Sequence, residues 1–534
     1  MNVLDYLLIF GYLALLLGLG FFFREQHDRK DYFLGGRSFG WLPLTLSTMA
    51  TQLSAISFIS APAFVGIREG GGMIWLSYEL AVPLAMIILM WGIMPRLYQS
   101  GYVSIYEFLE ARFDKYTRFL ISIVFQVSRA FGTGITIYAV ALILQSMVGL
   151  PFWMAVVIIG VVTALYSLSG GMKAVVFGDA LQMIIIFLGI FLCAAFGLYE
   201  LGGLHPLFAH LDPARLVAVN YKSLGFSGDE FGLLPMLFGG LVLYASYYGC
   251  DQTQAQRIMS AKNQTTVRRI LFANGLMRFP MVLLYCLMGL IIGTLAMTAP
   301  DFPTAGLTER PDLLIPRFIV TYLPHGLIGI LVVAILSAAM SSLSSVINSL
   351  TAVTIEDVAR LRGKTMSEGQ YVLWSRLTAL AWSAVILVLS FYGGAIASTV
   401  IEAVNKVGSL FYGPILATFV LAILWRGVGP VAANAGLIGG VAINLYLWLG
   451  APEVFWFWWN VSGFLGSLGI AWATAFALRS REPALALADA IKGENITGAR
   501  RQTIILALYF LFILIFITIF PSLWAAFAAA FGAA

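Results

Sequence analysis

Apolar segments of about 20 residues, the length that spans a bilayer core as a helix, recur along the whole 534-residue chain. Each segment therefore predicts one membrane-spanning helix. The composition agrees, because 60% of the residues are hydrophobic and 11% are charged, unlike a soluble globular domain. We predict an all-α integral membrane protein with about fourteen transmembrane helices, at residues 3–23, 41–67, 73–95, 119–148, 152–170, 175–199, 231–256, 268–298, 323–354, 370–393, 397–425, 429–450, 455–478 and 502–530.

Most of the 31 Lys and Arg residues lie in the connections on one side of this predicted membrane. Lys and Arg accumulate in cytoplasmic loops, so the odd-to-even connections are predicted to be cytoplasmic and both chain termini outside. The net charge of +5 then reflects topology and gives no reason to expect nucleic-acid binding. We expect a multi-pass protein of the cell membrane, specifically a bacterial inner membrane, in contact with the lipid bilayer. The oligomeric state stays open.

One apolar segment carries a dense group of hydroxyls. Its six serines are Ser337, Ser341, Ser342, Ser344, Ser345 and Ser349. Three of them recur every fourth residue and therefore share one helix face, which is expected to point toward the protein interior. Uncharged hydroxyl oxygens suit reversible binding of a small monovalent cation. Close helix packing through small residues is the alternative, and the spacing alone leaves both open.

Two other segments are interrupted by polar residues near mid-membrane. The stretch Ala50–Ser57 is rich in Ser, Thr and Gln, and Pro62 beyond it removes a backbone hydrogen bond. Carbonyls freed there need partners, for which a cation is one candidate and hydroxyl back-bonding in an unbroken helix is the alternative. In the other segment, Gly249 separates an apolar half from the polar Asp251–Arg257, which can also be a polar helix end at the cytoplasmic surface.

The two interrupted segments indicate how the chain is divided into repeats. Two groups of five spans, each beginning with an interrupted span, match a LeuT-like 5+5 inverted-repeat transporter fold. The predicted parts are a first helix and cytoplasmic loop at 1–40, a first five-helix repeat at 41–200, an extracellular loop at 201–230, a second inverted repeat at 231–425, and three additional C-terminal helices at 426–534. In this architecture binding occurs at the membrane midplane, between the two repeats.

Charged residues inside predicted spans are functional candidates, because a charge in the membrane is costly. Asp179 is placed to neutralise a cation near Ser344 and Ser345. A salt bridge to Lys173 is the alternative for this carboxylate.

The other charged residues within spans have competing explanations. Glu79 and Arg129 either pair with each other or contact a solute. Glu402 and Lys406 stand four residues apart, which favours a local ion pair. Arg278 has no partner that the sequence identifies.

With these residues in place, the chain resembles the sodium:solute symporter family, which includes the sodium/glucose, sodium/galactose and sodium/sialic acid symporters. The resemblance covers about residues 5–480 and is carried by the segments Asp31–Arg37, Ala50–Ser57, Ser169–Asp179, Asp251–Arg257 and Ser341–Ser349. It implies a transporter and not an enzyme. Inward sodium movement would drive uptake of a small polar organic solute by alternating access.

The resemblance also implies binding positions. A shared sodium site would use the carbonyls of Ala50, Leu53 and Ala338 with the hydroxyls of Ser341 and Ser342. A second sodium site would use Asp179, Ser341, Ser344 and Ser345, and the number of sodium ions per cycle stays open between one and two. The implied solute contacts are Gln52, Ser54, Ser57, Glu79, Asp251 and Asn405.

The identity of the solute is less constrained. A sugar or sugar acid is favoured, and a monocarboxylate, a vitamin or an anion is the alternative. An intramembrane enzyme is a remote alternative, because the histidines lie in loops or at span ends and the chain has no HExxH motif.

Overall fold

The computed structural model of the chain describes residues 1–25, 29–228, 231–362, 367–392, 399–425, 427–478 and 496–531. Within these ranges the secondary structure is helical. The α-helices are α1 (Val3–Phe22), α2 (Arg29–Leu34), α3 (Trp41–Gln52), α4 (Ala55–Gly66), α5 (Ala81–Ile88), α6 (Met94–Ser100), α7 (Tyr106–Arg112), α8 (Lys115–Val148), α9 (Phe152–Glu200), α10 (Leu204–His210), α11 (Gly240–Gly249), α12 (Gln252–Met259), α13 (Gln264–Thr298), α14 (Leu314–Tyr322), α15 (Leu327–Arg362), α16 (Glu368–Ser390), α17 (Val400–Ser409), α18 (Tyr412–Leu424), α19 (Pro430–Gly450), α20 (Phe457–Ala477) and α21 (Ile496–Ala530).

Shorter helical turns connect these elements. The 3₁₀ turns are Gly35–Arg37, Met73–Leu80, Pro213–Leu216 and Pro311–Leu313, and the π turns are Leu89–Ile93 and Pro235–Gly239.

Several long helices begin at side-chain caps. The side chains of Asn2, Asp114 and Asn263 each accept a hydrogen bond from a backbone N–H in the first turn of α1, α8 and α13. Such caps satisfy donors that the helix itself leaves without partners. Short polar residues therefore fix where these membrane helices start.

Ten elements within the described ranges are long and apolar enough to cross a membrane, and the bent pair α3 and α4 can form an eleventh span. The prediction of an all-α membrane protein is confirmed. The count of fourteen spans and the 5+5 repeat stay predictions. The predicted boundaries at residues 230, 393, 397, 426 and 534 lie outside the described residues.

The helix α9 contains a break that the sequence pattern places correctly. Its 49 residues would extend over about 70 Å if straight, more than twice the thickness of a bilayer core. Gly171 interrupts it with φ 53° and ψ −150°, between the two predicted spans 152–170 and 175–199. A Cβ at this position would lie 2.9 Å from the Tyr32 carbonyl oxygen, so glycine serves both the conformation and the close approach.

The predicted interruption in Ala50–Ser57 is confirmed. The helix α3 ends at Gln52, α4 begins at Ala55, and the two axes differ by 55°. Leu53 and Ser54 between them have ψ values of 74° and 174°, which are not helical. Pro62 lies inside α4 and not at the break, so the polar residues mark the interruption better than the proline does.

The second predicted interruption is also confirmed. The helix α11 ends at Gly249, and α12 begins at Gln252. Asp251 caps α12, because its Oδ1 accepts a hydrogen bond of 2.8 Å from the Thr253 N–H.

The packing of these elements defines a central region. The hydroxyl-rich helix α15 packs against α9, α3, α4 and α12, and α12 also contacts α3. Both broken helices therefore meet the hydroxyl-rich helix inside the protein.

Candidate functional site

The broken helix α3 and the hydroxyl-rich helix α15 are in direct contact. The hydroxyl oxygens of Thr51 and Ser345 lie 3.1 Å apart, and both side chains are buried. The polar face of α15 is therefore turned toward α3, as the spacing of its serines predicts. Helix packing and cation binding are both compatible with this contact. The positions of the surrounding oxygen atoms are therefore needed to distinguish the two.

The residues proposed for the shared sodium site lie around this contact. Ala50 and Leu53 are fully buried at the end of α3, where the break interrupts the regular i to i−4 hydrogen bonding. On α15, the Ser342 hydroxyl donates to the Ala338 carbonyl over 3.3 Å, and the Ser341 hydroxyl donates to Asp179 Oδ1 over 2.7 Å. Carbonyl oxygens at an unwound helix together with hydroxyls form a donor set that suits sodium.

Asp179 lies at the centre of a buried polar cluster. Besides Ser341, it accepts a hydrogen bond of 2.6 Å from the Ser47 hydroxyl and forms an ion pair with Arg257, whose Nη2 lies 3.0 Å from Oδ2. The alternative partner Lys173 lies instead 2.6 Å from Asp31. The sequence places Asp179 within a predicted span, but it does not identify Arg257 as the partner of this carboxylate.

The other two residues of the predicted second sodium site adjoin this cluster. The Ser345 hydroxyl accepts a hydrogen bond from Arg257, and it donates to the Ser341 carbonyl over 2.7 Å. The Ser344 hydroxyl donates to the same carbonyl over 3.0 Å. All four predicted oxygen donors are thus buried in one region of α9 and α15.

A central cavity lies beside the break in α3 and α4. Four of the six predicted solute contacts line it, namely Gln52, Ser54, Ser57 and Asn405. Ser342 of the shared sodium site lines the same cavity. The structure therefore places the proposed sodium and solute positions next to each other.

The predicted solute contact Asp251 stands behind the wall of the cavity and pairs with Arg129, which lines it. The Arg129 guanidinium also donates to the Tyr412 hydroxyl over 3.1 Å. It lies over the Tyr247 ring at 4.8 Å from the ring centroid. Arg129 is held from three sides, with part of its surface open to the cavity.

Glu79, the remaining predicted solute contact, is fully buried and pairs with Arg278. The two nitrogen–oxygen distances are 3.1 and 3.3 Å, and the Tyr244 hydroxyl donates to Glu79 over 2.9 Å. Arg278 lines the cavity, whereas Glu79 lies behind it. The expected alternative of a Glu79–Arg129 pair is wrong, because each residue has a different partner.

A further ion pair lies just beyond the end of α4. Arg68, just beyond α4, lies 2.7 Å from Glu402 at the start of α17. The sequence favours Lys406 as the partner of Glu402. In the structure the Lys406 ammonium lies over the Trp459 ring, 5.8 Å from its centroid.

The helix α8 carries a polar stripe that was not predicted from the sequence. Thr133 and Thr136 line the cavity together with Arg129. The spacings of four and three residues place all three on one helix face, so this stripe was available as a signal. Tyr247 and Tyr412 also line the cavity, and nothing in their local sequence distinguishes them from other aromatic residues.

Comparisons with known proteins agree with this geometry. The model of the sodium:solute symporter family matches residues 32–440. The chain belongs to this family. The sodium-coupled monocarboxylate transporter 1 of Xenopus laevis is 29% identical over 471 residues, covering 84% of this chain and 72% of the relative. The human sodium/iodide cotransporter is 27% identical over 434 residues, covering 80% and 66%.

The fold also has a solved counterpart. The substrate-bound outward-open structure of a Na⁺-coupled sialic acid symporter matches with a TM-score of 0.81 and 24% sequence identity, covering 91% of this chain and 99% of that chain. Membership of the sodium:solute symporter family makes this chain a multi-pass membrane transporter with sodium as the coupling ion, and not an enzyme.

Proposed function

We propose that this symporter imports a small organic anion and that Arg129 binds the carboxylate of the solute. The observation that carries the proposal is which charged groups face the central cavity. Among the described residues, the charged side chains that line it are Arg129 and Arg278, while their partners Asp251 and Glu79 stand behind the wall. Within the described part of the chain, a solute in the cavity therefore meets guanidinium groups and no carboxylate.

The guanidinium geometry explains why an anion is favoured over a neutral sugar. Arginine presents planar, paired N–H donors that match a carboxylate. The side chains of Gln52, Asn405, Thr133 and Thr136 add neutral hydrogen-bonding groups, which suit hydroxyl or carbonyl substituents of the solute. Monocarboxylates and sugar acids both satisfy these features. The names of the monocarboxylate and iodide relatives support an anionic solute.

Sodium would bind where α3 is interrupted. The proposed ligands are the carbonyls of Ala50, Leu53 and Ala338 and the hydroxyls of Ser341 and Ser342. Such binding would join α3 to α15, and loss of the ion would loosen this contact. We place the site in a 5+5 inverted repeat, because a midplane site between two broken helices is typical of that architecture. The apolar segments and the distribution of Lys and Arg support fourteen spans with both termini outside.

The solute class is tested in proteoliposomes that contain the purified full-length protein. Radiolabelled sodium uptake is measured with short monocarboxylates, sialic acid, other sugar acids, iodide and neutral galactose. We expect stimulation by one or more organic acids and none by galactose. Stimulation by galactose alone would contradict an anionic solute.

The role of Arg129 is tested with Arg129→Gln. Loss of a charge-assisted hydrogen bond costs about 1.5–3 kcal/mol, so the KM for the organic acid should rise about 10- to 150-fold. Arg129→Lys, which keeps the charge but not the paired donors, should have an intermediate effect. Lys222→Gln removes a charge from an exposed loop residue and should leave the KM unchanged. An unchanged KM in Arg129→Gln would place the carboxylate elsewhere.

A further inference from the structure

The buried polar cluster around Asp179 contains a positively charged side chain, that of Arg257. Arg257 is 1% exposed and Asp179 is fully buried. The Arg257 Nη2 lies 3.0 Å from Asp179 Oδ2 and also donates to the Ser345 hydroxyl. Arg257 thus contacts two of the four residues of the predicted second sodium site.

The oxygens of Asp179 are already engaged in this arrangement. Ser341 donates to Oδ1 and Ser47 donates to Oδ2, at 2.7 and 2.6 Å, and the guanidinium completes the shell of Oδ2. A sodium ion on the same carboxylate would stand next to the guanidinium in a buried, weakly screened region. Two cations would then share the single negative charge of Asp179, which is unfavourable at low local dielectric.

The position of Arg257 in the fold allows it to leave this site. It lies on α12, a short helix that follows the break after Gly249. Asp179 and Ser345 lie on the long helices α9 and α15. A movement of α12 relative to those two helices would remove the guanidinium and leave the oxygen donors of α9 and α15 in place.

We propose that Arg257 is a built-in competitor of sodium at Asp179. In the arrangement seen here the guanidinium neutralises Asp179, and a second sodium ion binds there only after α12 withdraws Arg257. The proposal rests on the proposed sodium-coupled transport and on the second sodium site that the resemblance to the symporter family implies. It makes the position of α12 decide whether a sodium ion or a side chain neutralises Asp179.

The test measures binding of radiolabelled sodium to the purified full-length protein in detergent, without solute. We expect Arg257→Gln to bind a second sodium ion with a half-saturation concentration lower than in the wild type by about tenfold or more. Arg257→Lys, which retains a cation near Asp179, should behave more like the wild type. Arg269→Gln, the same substitution at an exposed position, should match the wild type.

The double variant Asp179→Asn/Arg257→Gln removes both charges and is the control for folding. It should bind one sodium ion, at the shared site. If Arg257→Gln can be purified only in sodium while the double variant needs none, sodium is replacing the lost guanidinium and the proposal holds. If neither condition yields folded Arg257→Gln, the wild type and the double variant are compared at low sodium concentration. Sodium is then raised stepwise: a second ion that binds the wild type only at high sodium and never binds the double variant supports competition, and a second ion bound by the wild type already at low sodium contradicts it.

Two results would distinguish failure of this inference from failure of the proposed sodium sites. Equal or weaker sodium binding at the second site in Arg257→Gln would mean that the guanidinium does not compete, which overturns this inference. Absence of sodium binding in the wild type and in every variant would instead contradict the proposed sodium sites themselves.

Discussion

Replacing Glu79 with alanine tests whether this carboxylate supports the cavity or contacts the solute. Glu79 is fully buried, and its Oε2 lies 3.1 Å from Arg278 Nε. At an effective dielectric constant of about 20, opposite charges at this distance attract by about 5 kcal/mol. Removing one partner of a buried ion pair commonly destabilises a protein by about 3–5 kcal/mol, because the other charge stays buried without compensation. We expect a loss of this size in Glu79→Ala.

The measurement is the apparent melting temperature of the purified protein in detergent, combined with size-exclusion chromatography. Glu79→Ala should melt clearly below the wild type, whereas Glu309→Ala, which removes an exposed carboxylate, should not. The double variant Glu79→Leu/Arg278→Met should recover most of the loss, because replacing both partners of a buried pair by apolar residues is often neutral.

The same variants also test the sequence-based prediction that Glu79 contacts the solute. If Glu79→Ala melts like the wild type and only the KM for the solute rises, the pair is not structural and the carboxylate reaches the solute. That outcome would refute the assignment of Glu79 to the support of Arg278.

Two other predictions concern sodium and pH. Ser342→Ala removes a proposed sodium ligand and should abolish sodium-driven uptake, whereas Ser349→Ala on the same helix should retain it; wild-type sodium dependence in Ser342→Ala would contradict the shared site. Burial raises the pKa of Asp312, in the 3₁₀ turn before α14, from 3.8 to about 6. Its protonated form is favoured in the folded protein, so stability should fall by at most about 3 kcal/mol as the pH rises from about 4 to 6. In Asp312→Asn the melting temperature should change less with pH over this range. An unchanged slope would mean that other groups cause the pH dependence.

The sequence predicts the elements of this site better than their contacts. Polar residues inside apolar segments located both helix breaks, because unsatisfied backbone groups are not tolerated in lipid. The four-residue spacing of Ser337, Ser341 and Ser345 identified the inward face of α15, since helical periodicity is a local property. Pro62 lies inside α4, so the proline does not mark the position of the break after Gln52.

The partners of the buried charges could not be predicted in the same way. Arg129 pairs with Asp251 and Arg278 pairs with Glu79, and in each case the two residues lie on elements far apart in the chain. Periodicity tells which face of a helix is polar, but it does not tell which neighbouring helix that face meets. Glu79 and Arg129, the pair suggested by two adjacent spans, are therefore each bound to a residue more than 120 positions later in the chain.

The two proposals meet in α12, and this leads to a final prediction. Asp251 caps the start of α12 and pairs with Arg129, while Arg257 near the other end of α12 pairs with Asp179. A solute carboxylate at Arg129 would compete with Asp251 and weaken one of the contacts that hold α12 in place. Solute should therefore favour withdrawal of Arg257 and lower the half-saturation concentration for sodium at Asp179. Because coupling between binding sites is reciprocal, sodium should increase the affinity for the solute by the same factor.

The coupling is measured by titrating sodium with and without a transported organic acid. In the wild type the acid should strengthen binding of the second sodium ion. In Arg257→Gln this part of the effect should disappear, because no guanidinium has to leave Asp179. The double variant Asp179→Asn/Arg257→Gln measures the coupling between the solute and the shared sodium site alone. If the acid strengthens sodium binding equally in the wild type and in Arg257→Gln, then withdrawal of Arg257 on α12 does not transmit the signal.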